Sequence, residues 1–432
     1  VVAADLRTET ADLLAGLIRI DTSNPPGNET AAAEYLAAHL AAAGIESTLV
    51  GRSDARQNLV ARLRGRGDGP SLMLLGHTDV VPADAGEWSV PPFSGLDRDD
   101  HIWGRGALDM KGQVAAETAA FVALAREGWD GAGDLILCAV ADEEVGDGWG
   151  LAWLVEQHPD LVQADLVINE GGGERVSHRG RVAYTIAIGE KMCSAFKITT
   201  GGRSGHASVP SVADNALLRM LPVIDRLERM ERPGRELPEL QMFVEALAGP
   251  GADARELLRE ARGDNPVLAA MIEPLLGATI APTVVGAGSS VNVIPNRAEL
   301  ICDSRILPGM TQADVEQAVR SALAGLQFDF EFVEKDGGTI SPVATDLYTA
   351  IERYIADLEP GAVAAPLVSA GFTDSHWMRE AFGSVAYGFM PSRMDPALAG
   401  VLIHSADERV AKDDLELAAN CFIRLAREIG QE

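Results

Sequence analysis

Cysteine is scarce. Cys138, Cys193, Cys302 and Cys421 are the four cysteines among 432 residues, and no two form a CxxC pair. Such usage excludes a cysteine-paired metal or redox motif and points to buried free thiols in a reducing, cytoplasmic compartment. Basic residues are scarce too: Lys plus Arg number 36 against 64 Asp plus Glu, a formal net charge of −28. That surface repels phosphate backbones and anionic lipid heads, so neither nucleic acid nor a membrane is an expected partner. No apolar run approaches the ~20 residues that span a bilayer. The opening Val1-Val2-Ala3-Ala4-Asp5 has no basic region ahead of an apolar core, so no signal peptide is expected. Internal repeats, low-complexity tracts, GxSxG, HExxH and Walker A sequences are all absent.

What is present reads as an ordinary globular chain, 47% hydrophobic and 23% charged. At roughly 150 residues per domain, two or three domains are expected. Asp5–Ile20 has a helical apolar stripe, and Glu29–Ala43 is a second helix that Gly44 ends. Short apolar runs at Ser47–Val50, Leu59–Leu63, Leu72–Leu75, Leu135–Val140 and Leu166–Ile168 read as strands. Helical patterns near Gly112–Glu127 and Gly150–Gln157 lie between them. This alternation predicts an α/β fold with a mostly parallel sheet flanked by helices. The middle differs. Strands at Phe196–Thr199, Thr283–Val285, Glu299–Asp303 and Phe328–Val333, with helices at Ala213–Arg229 and Gln312–Leu323, form a βαββαβ pattern with a ragged insertion near Glu231–Thr279. Pro360–Pro366 reads as a loop and Asp413–Ile429 as a helix.

The chemistry-bearing residues follow strand ends. Leu72–Leu75 runs into Gly76-His77-Thr78-Asp79, and Leu135–Val140 into Asp142-Glu143-Glu144. Leu166–Ile168 runs into Asn169-Glu170, and Ile403 precedes His404. In open α/β sheets, sites form just beyond the carboxyl ends of strands. Taken singly, His77 and Asp79 read as a loop pair, Asp109 of Gly104-Arg105-Gly106-Ala107-Leu108-Asp109 as a helix cap, and the acids as solvated turns. Together, His77, Asp109, Glu144, Glu170 and His404 share one edge of the inferred sheet. Imidazoles and carboxylates without thiolate suit zinc, and also cobalt or manganese. Five ligands exceed one tetrahedral zinc with an open position; they suit two ions bridged by a carboxylate, about 3.5–4 Å apart. Glu143 then stands beside a ligand as an acid able to take a proton from water, which a purely structural site would not need.

These strings resemble the M20 metallopeptidase family. They are Gly76-His77-Thr78-Asp79-Val80-Val81-Pro82, Gly104–Lys111, Asp142-Glu143-Glu144-Val145-Gly146, Asn169-Glu170-Gly171-Gly172, Gly205-His206-Ala207-Ser208 and Asn292-Val293-Ile294-Pro295. The aminoacylase and Gly-X carboxypeptidase branch is the most similar, through Trp88–Phe93 and the closing His404…Asp407-Glu408-Arg409. The resemblance implies a zinc-peptidase-like catalytic domain from 1–189 and 338–432. An inserted ferredoxin-like lid and dimerisation domain would occupy 190–337. It implies two zinc ions: Asp109 bridging, His77 and Glu170 on one, Glu144 and His404 on the other. Asp79 would orient His77, and Glu143 would act as general base toward metal-activated water. In relatives the histidine matching His206 reaches the neighbouring subunit's site and steadies the oxyanion, so a homodimer through the lid is implied.

Asn292 and Arg305 match lid positions that grip substrate. A guanidinium can fork onto a carboxylate, although Arg305 also has Asp303 close by as an ion-pair partner. In Thr373-Asp374-Ser375-His376, His376 stands where many relatives have arginine, which leaves the carboxylate contact open to Arg379 or Arg393. Gly371 and Gly388 read as backbone devices. The implied activity is hydrolysis of the amide bond of N-acyl amino acids or short peptides with a free carboxylate. The alternatives are a dipeptidase, a biosynthetic deacylase of the acetylornithine or succinyl-diaminopimelate type, and a silent metal-stabilised binding protein.

Overall fold

Strands Leu72–His77 and Leu135–Val140 are buried at every residue, and each alternates its side chains between two separate apolar clusters. Leu72, Leu74, Leu135 and Leu137 join the cluster that includes helices Leu6–Ile18, Lys111–Glu127 and Lys412–Ile429. Met73, Leu75, Ile136 and Cys138 join the cluster that includes Leu151 and Leu154 of one helix and Met378 of another. Burial on both faces is what a parallel α/β sheet requires. In this computed structural model, which describes residues 5–335 and 337–431, the sheet has nine strands. The stretch 1–4 discussed above lies outside the described residues. Leu135–Val140, Leu72–His77, Leu166–Asn169 and Val385–Gly388 are parallel neighbours at its centre. Ser47–Ser53 and Arg56–Leu63 extend one side in antiparallel fashion, and Arg181–Glu190 and Val363–Ser369 extend the other.

A second, antiparallel sheet follows the βαββαβ pattern. Asp329–Phe332 pairs with Phe196–Gly201, which pairs with Arg297–Ile306, which pairs with Thr279–Ala287. Numbered along the chain, the order is 4-1-3-2, the ferredoxin-like arrangement, with helix Ala216–Arg229 packed on three of the strands. The ragged insertion is three helices, Pro238–Ala248, Ala254–Asp264 and Pro266–Ile272. Asp253 and Asn265 cap the last two through their side chains.

One expectation is corrected. Pro360–Pro366 is not all loop: Val363–Ser369 is a strand, with Pro366 opposite Ile186. It lies at the end of the sheet order, where a missing N–H faces no further strand. Strand Arg181–Glu190, and helix Asp346–Leu358 with Leu347, Ile351, Tyr354 and Ile355 on its buried face, lie outside the expected elements. No helix among the described residues is long and apolar enough to cross a membrane.

Candidate metal centre

The central strands deliver His77, Glu143, Glu144 and Glu170 to one edge, at or just past their carboxyl ends. Asp109 arrives on the loop before helix Lys111–Glu127, and His404 on the turn after helix Pro396–Leu402, at φ +61°. Beside Glu170, Gly388 is a packing requirement: a Cβ there would lie 1.8 Å from the Glu170 carbonyl oxygen.

All five residues read as ligands converge. Asp109 places Oδ1 3.1 Å from His77 Nε2 and Oδ2 3.0 Å from His404 Nε2. Glu144 Oε2 is 3.3 Å from His404 Nε2, and Glu170 Oε2 is 3.8 Å from His77 Nε2. Donor atoms of His77, Asp109 and Glu144 lie within 4.8 Å of one another, and so do those of His77, Glu143 and Glu170. Two donor groups side by side, with one carboxylate, Asp109, reaching both histidines, fit a pair of divalent ions. Glu144 Oε1 adds to the fit, because it is buried with no hydrogen-bond partner among the described residues. Glu143, read as a base rather than a ligand, stands within the second group.

The supports were mostly invisible in the sequence. His77 Nδ1 meets the main-chain carbonyl of Asp79 at 3.0 Å, while the Asp79 carboxylate is 3.5 Å away. That carboxylate instead accepts the backbone N–H groups of Glu143 and Glu144, each at 3.1 Å, and the Asn24 amide at 2.9 Å. Asp142, at φ +68°, accepts from Asn24 and Trp149 N–H and pairs with Arg56, which also holds Glu29. Asn24 read only as part of a helix-breaking Pro-Pro turn.

The electrostatics are those of crowded acids. Burial, together with repulsion from Glu170, pushes Glu143 well above the carboxylate range. Burial raises Glu144 to about 7 and also raises Glu170. Burial works against charge on His77, yet its contacts with Asp109, Asp79 and Glu170 prevail and hold its pKa well above the usual value. The bond to Asp109 raises His404. Bound cations would reverse the pressure on the acids.

A cavity of about 200 Å³ opens beside the acids, walled by Glu143, Glu144, Leu151, Arg305, Phe372, Asp374 and Trp377 among others. Arg305 reaches it from the smaller sheet, paired with Asp303 at 3.2 Å and in contact with Cys193 Sγ. His376 is not part of the wall. It is buried, with Nδ1 3.5 Å from Glu190 and Nε2 3.2 Å from Glu380. Arg379 is also turned to Glu190. His206 and Asn292 are brought together, Ala207 N–H donating to the Asn292 carbonyl at 3.0 Å, but both are exposed. His206 Nδ1 accepts from Ser208 within its own loop, and no contact joins it to the acids among the described residues.

A model of peptidase family M20/M25/M40 matches residues 73–428. The N-fatty-acyl-amino acid synthase/hydrolase PM20D1 of Xenopus tropicalis is 28% identical over 367 residues, 82% of this chain and 71% of that one. The succinyl-diaminopimelate desuccinylase of Paracoccus denitrificans is 27% identical over 436 residues, 96% of this chain and 97% of that one. The crystal structure of the M20 family metallo-carboxypeptidase Sso-CP2 from Sulfolobus solfataricus has the same fold, with a TM-score of 0.76 at 20% identity over 98% of this chain and 100% of that one.

Proposed function

We propose a reaction from this premise: the chain belongs to peptidase family M20/M25/M40 and is a metal-dependent hydrolase of amide bonds, with the family's dinuclear metal-binding site. Its substrates are N-acyl amino acids or short peptides bearing a free carboxylate. The observation that carries this is Arg305, the one cation among the described residues of a cavity wall that also holds Glu143 and Glu144. A guanidinium there offers a carboxylate a charge-assisted partner at a fixed place beside the acids.

His77, Asp109, Glu144, Glu170 and His404 would hold two zinc ions, with cobalt or manganese as chemical equivalents. Bound there, the metals supply Lewis acidity and make water more acidic. Glu143 takes the proton from the attacking water and passes it to the leaving nitrogen. Asp79 holds the Glu143–Glu144 backbone and thereby aims both carboxylates.

The working division is a catalytic part from 1–189 and 338–432 and a lid from 190–337. Two copies associate through the lid, which would bring His206 of one to the site of the other. The four cysteines are all buried, which fits the reducing cytoplasm.

The test is metal analysis paired with hydrolysis of N-acetyl amino acids and dipeptides before and after chelation, each substrate matched to its carboxamide. About two metals per chain, chelator-sensitive turnover and loss of activity on the carboxamides are expected. Equal turnover of acid and carboxamide would refute the carboxylate requirement.

A further inference from the structure

We propose that the cavity beside the metal centre receives a cationic group of the substrate, an ammonium or guanidinium, on the carboxylate of Asp374. This rests on the reading of that cavity as the substrate site.

Asp374 is 5% exposed, and its Oδ2 is buried with no hydrogen-bond partner among the described residues. It lines the cavity yet belongs to neither donor group of the metal centre. Of the acids that act on it, Asp142 is matched with Arg56 and Asp79 with Asn24 and two N–H groups, while Glu143 and Glu170 belong to a donor group of the metal centre. Asp374 has no ion pair among the described residues. A buried carboxylate without a partner is costly and rare, so the partner is sought in what enters the cavity.

The neighbours point to a cation. Phe372 and Trp377 share the wall, with ring centroids 5.9 Å apart at 64°. Aromatic faces beside a carboxylate form an environment that attracts ammonium and guanidinium groups. Arg305 belongs to the same wall, so the cavity presents both charge signs to one small ligand. A substrate carrying a carboxylate and a cation would satisfy both. A purely apolar acyl chain would leave Asp374 as it stands.

The cation has two sources: the α-ammonium of a dipeptide, or a side-chain ammonium on an N-acyl amino acid. Two substrate pairs on the zinc-loaded enzyme separate them. Glycyl-leucine against N-acetyl-leucine tests the first; N-acetyl-lysine against N-acetyl-norleucine tests the second. At least a tenfold preference in kcat/KM for the cationic member of one pair is expected. In Asp374→Asn, which keeps the shape and removes the charge, that ratio should collapse toward one.

No preference in either pair, with the neutral members cleaved, would overturn the inference and leave the hydrolase reading intact. A preference surviving in Asp374→Asn, or equal loss on both members, would overturn the assignment to Asp374. Calorimetric titration of the wild-type enzyme with n-butylammonium, against n-butanol, decides the matter even if the variant misfolds or no panel substrate turns over. Saturable binding of the amine alone is expected, and its absence overturns the inference.

Discussion

Glu408 accepts the backbone N–H of Asp109 at 3.1 Å, so the residue that touches both histidines is anchored by an acid four positions beyond His404. The same carboxylate takes the N–H groups of Leu108 and Gly106, at 2.6 and 3.0 Å, and Arg105 Nη1 at 2.8 Å. One fully buried side chain thus ties the Asp109 loop to the His404 turn. Glu408→Ala would leave Arg105 buried and unpaired, at a cost of about 3–5 kcal/mol. Calorimetric unfolding should show that loss, and metal analysis should show reduced occupancy. Wild-type values in both would refute the anchoring role.

Glu143 Oε2 lies 3.9 Å from His77 Nε2, close enough that ligand and base are both geometrically open to it. As the base, Glu143→Gln should lower kcat by roughly 10²–10⁴-fold while two metals remain bound. Loss of one metal per chain would make Glu143 a ligand instead.

Arg305→Met should lower kcat/KM for carboxylate substrates, chiefly through KM, by about 10- to 100-fold, the range of a charged hydrogen bond. Matched carboxamides should be nearly indifferent to it. Arg305→Lys should recover only part of the loss, because a lysine cannot reproduce the guanidinium fork. Equal losses on acid and amide would remove Arg305 from carboxylate recognition.

How much of this was legible follows the range of each signal. His77, Glu144 and Glu170 were readable because an apolar run stops at an acid or imidazole, and strand ends meet at one edge. Asp109 and His404 carried weaker marks, a glycine-rich turn ahead of a helix and a single apolar residue ahead of a histidine, because one lies on a loop and the other on the turn after a helix. Glu408, Asn24, Asp142 and Arg56 act through backbone N–H groups and ion pairs many positions away in the chain, and a lone acid in a chain of 64 acids carries no mark. Pro366 misled because proline reads locally as a breaker, whereas its tolerance depends on which strand lies at the edge. His376 drew notice by its place in a motif, yet its ring is held by Glu190 and Glu380, a matter of tertiary packing.

Glu117 gives a pH prediction away from the ligands' own titration. It is fully buried in helix Lys111–Glu127, its Oε2 has no hydrogen-bond partner among the described residues, and burial holds its pKa well above the usual value. The folded protein therefore binds a proton that the unfolded chain releases above about pH 4.3. Stability falls as pH rises from there toward the raised pKa, and then levels off. Glu117→Gln should remove that penalty. The variant should unfold at a higher temperature than wild type at pH 8 and at nearly the same temperature at pH 4. An equal shift at both values would refute the titration.

The lid surface yields the last expectation. Leu218 and Leu221, one turn apart on helix Ala216–Arg229, are 61% and 57% exposed, and Val284 and Val285 on the edge strand Thr279–Ala287 are each 55% exposed. Apolar side chains beside an unpaired strand edge are the kind of surface that a second copy covers. Leu218→Glu combined with Leu221→Glu should convert a dimer to a monomer in sedimentation and lower activity with it. Mixing then tests whether His206 acts across that contact. Glu143→Gln and His206→Ala are each expected to be inactive alone, the second by roughly 10²–10³-fold, the worth of one oxyanion contact. Exchanged into a mixed dimer, the Glu143 of one chain and the His206 of the other would meet in a single intact site, and activity should return. No recovery on mixing, with exchange verified, would place His206 outside the reaction of its neighbour.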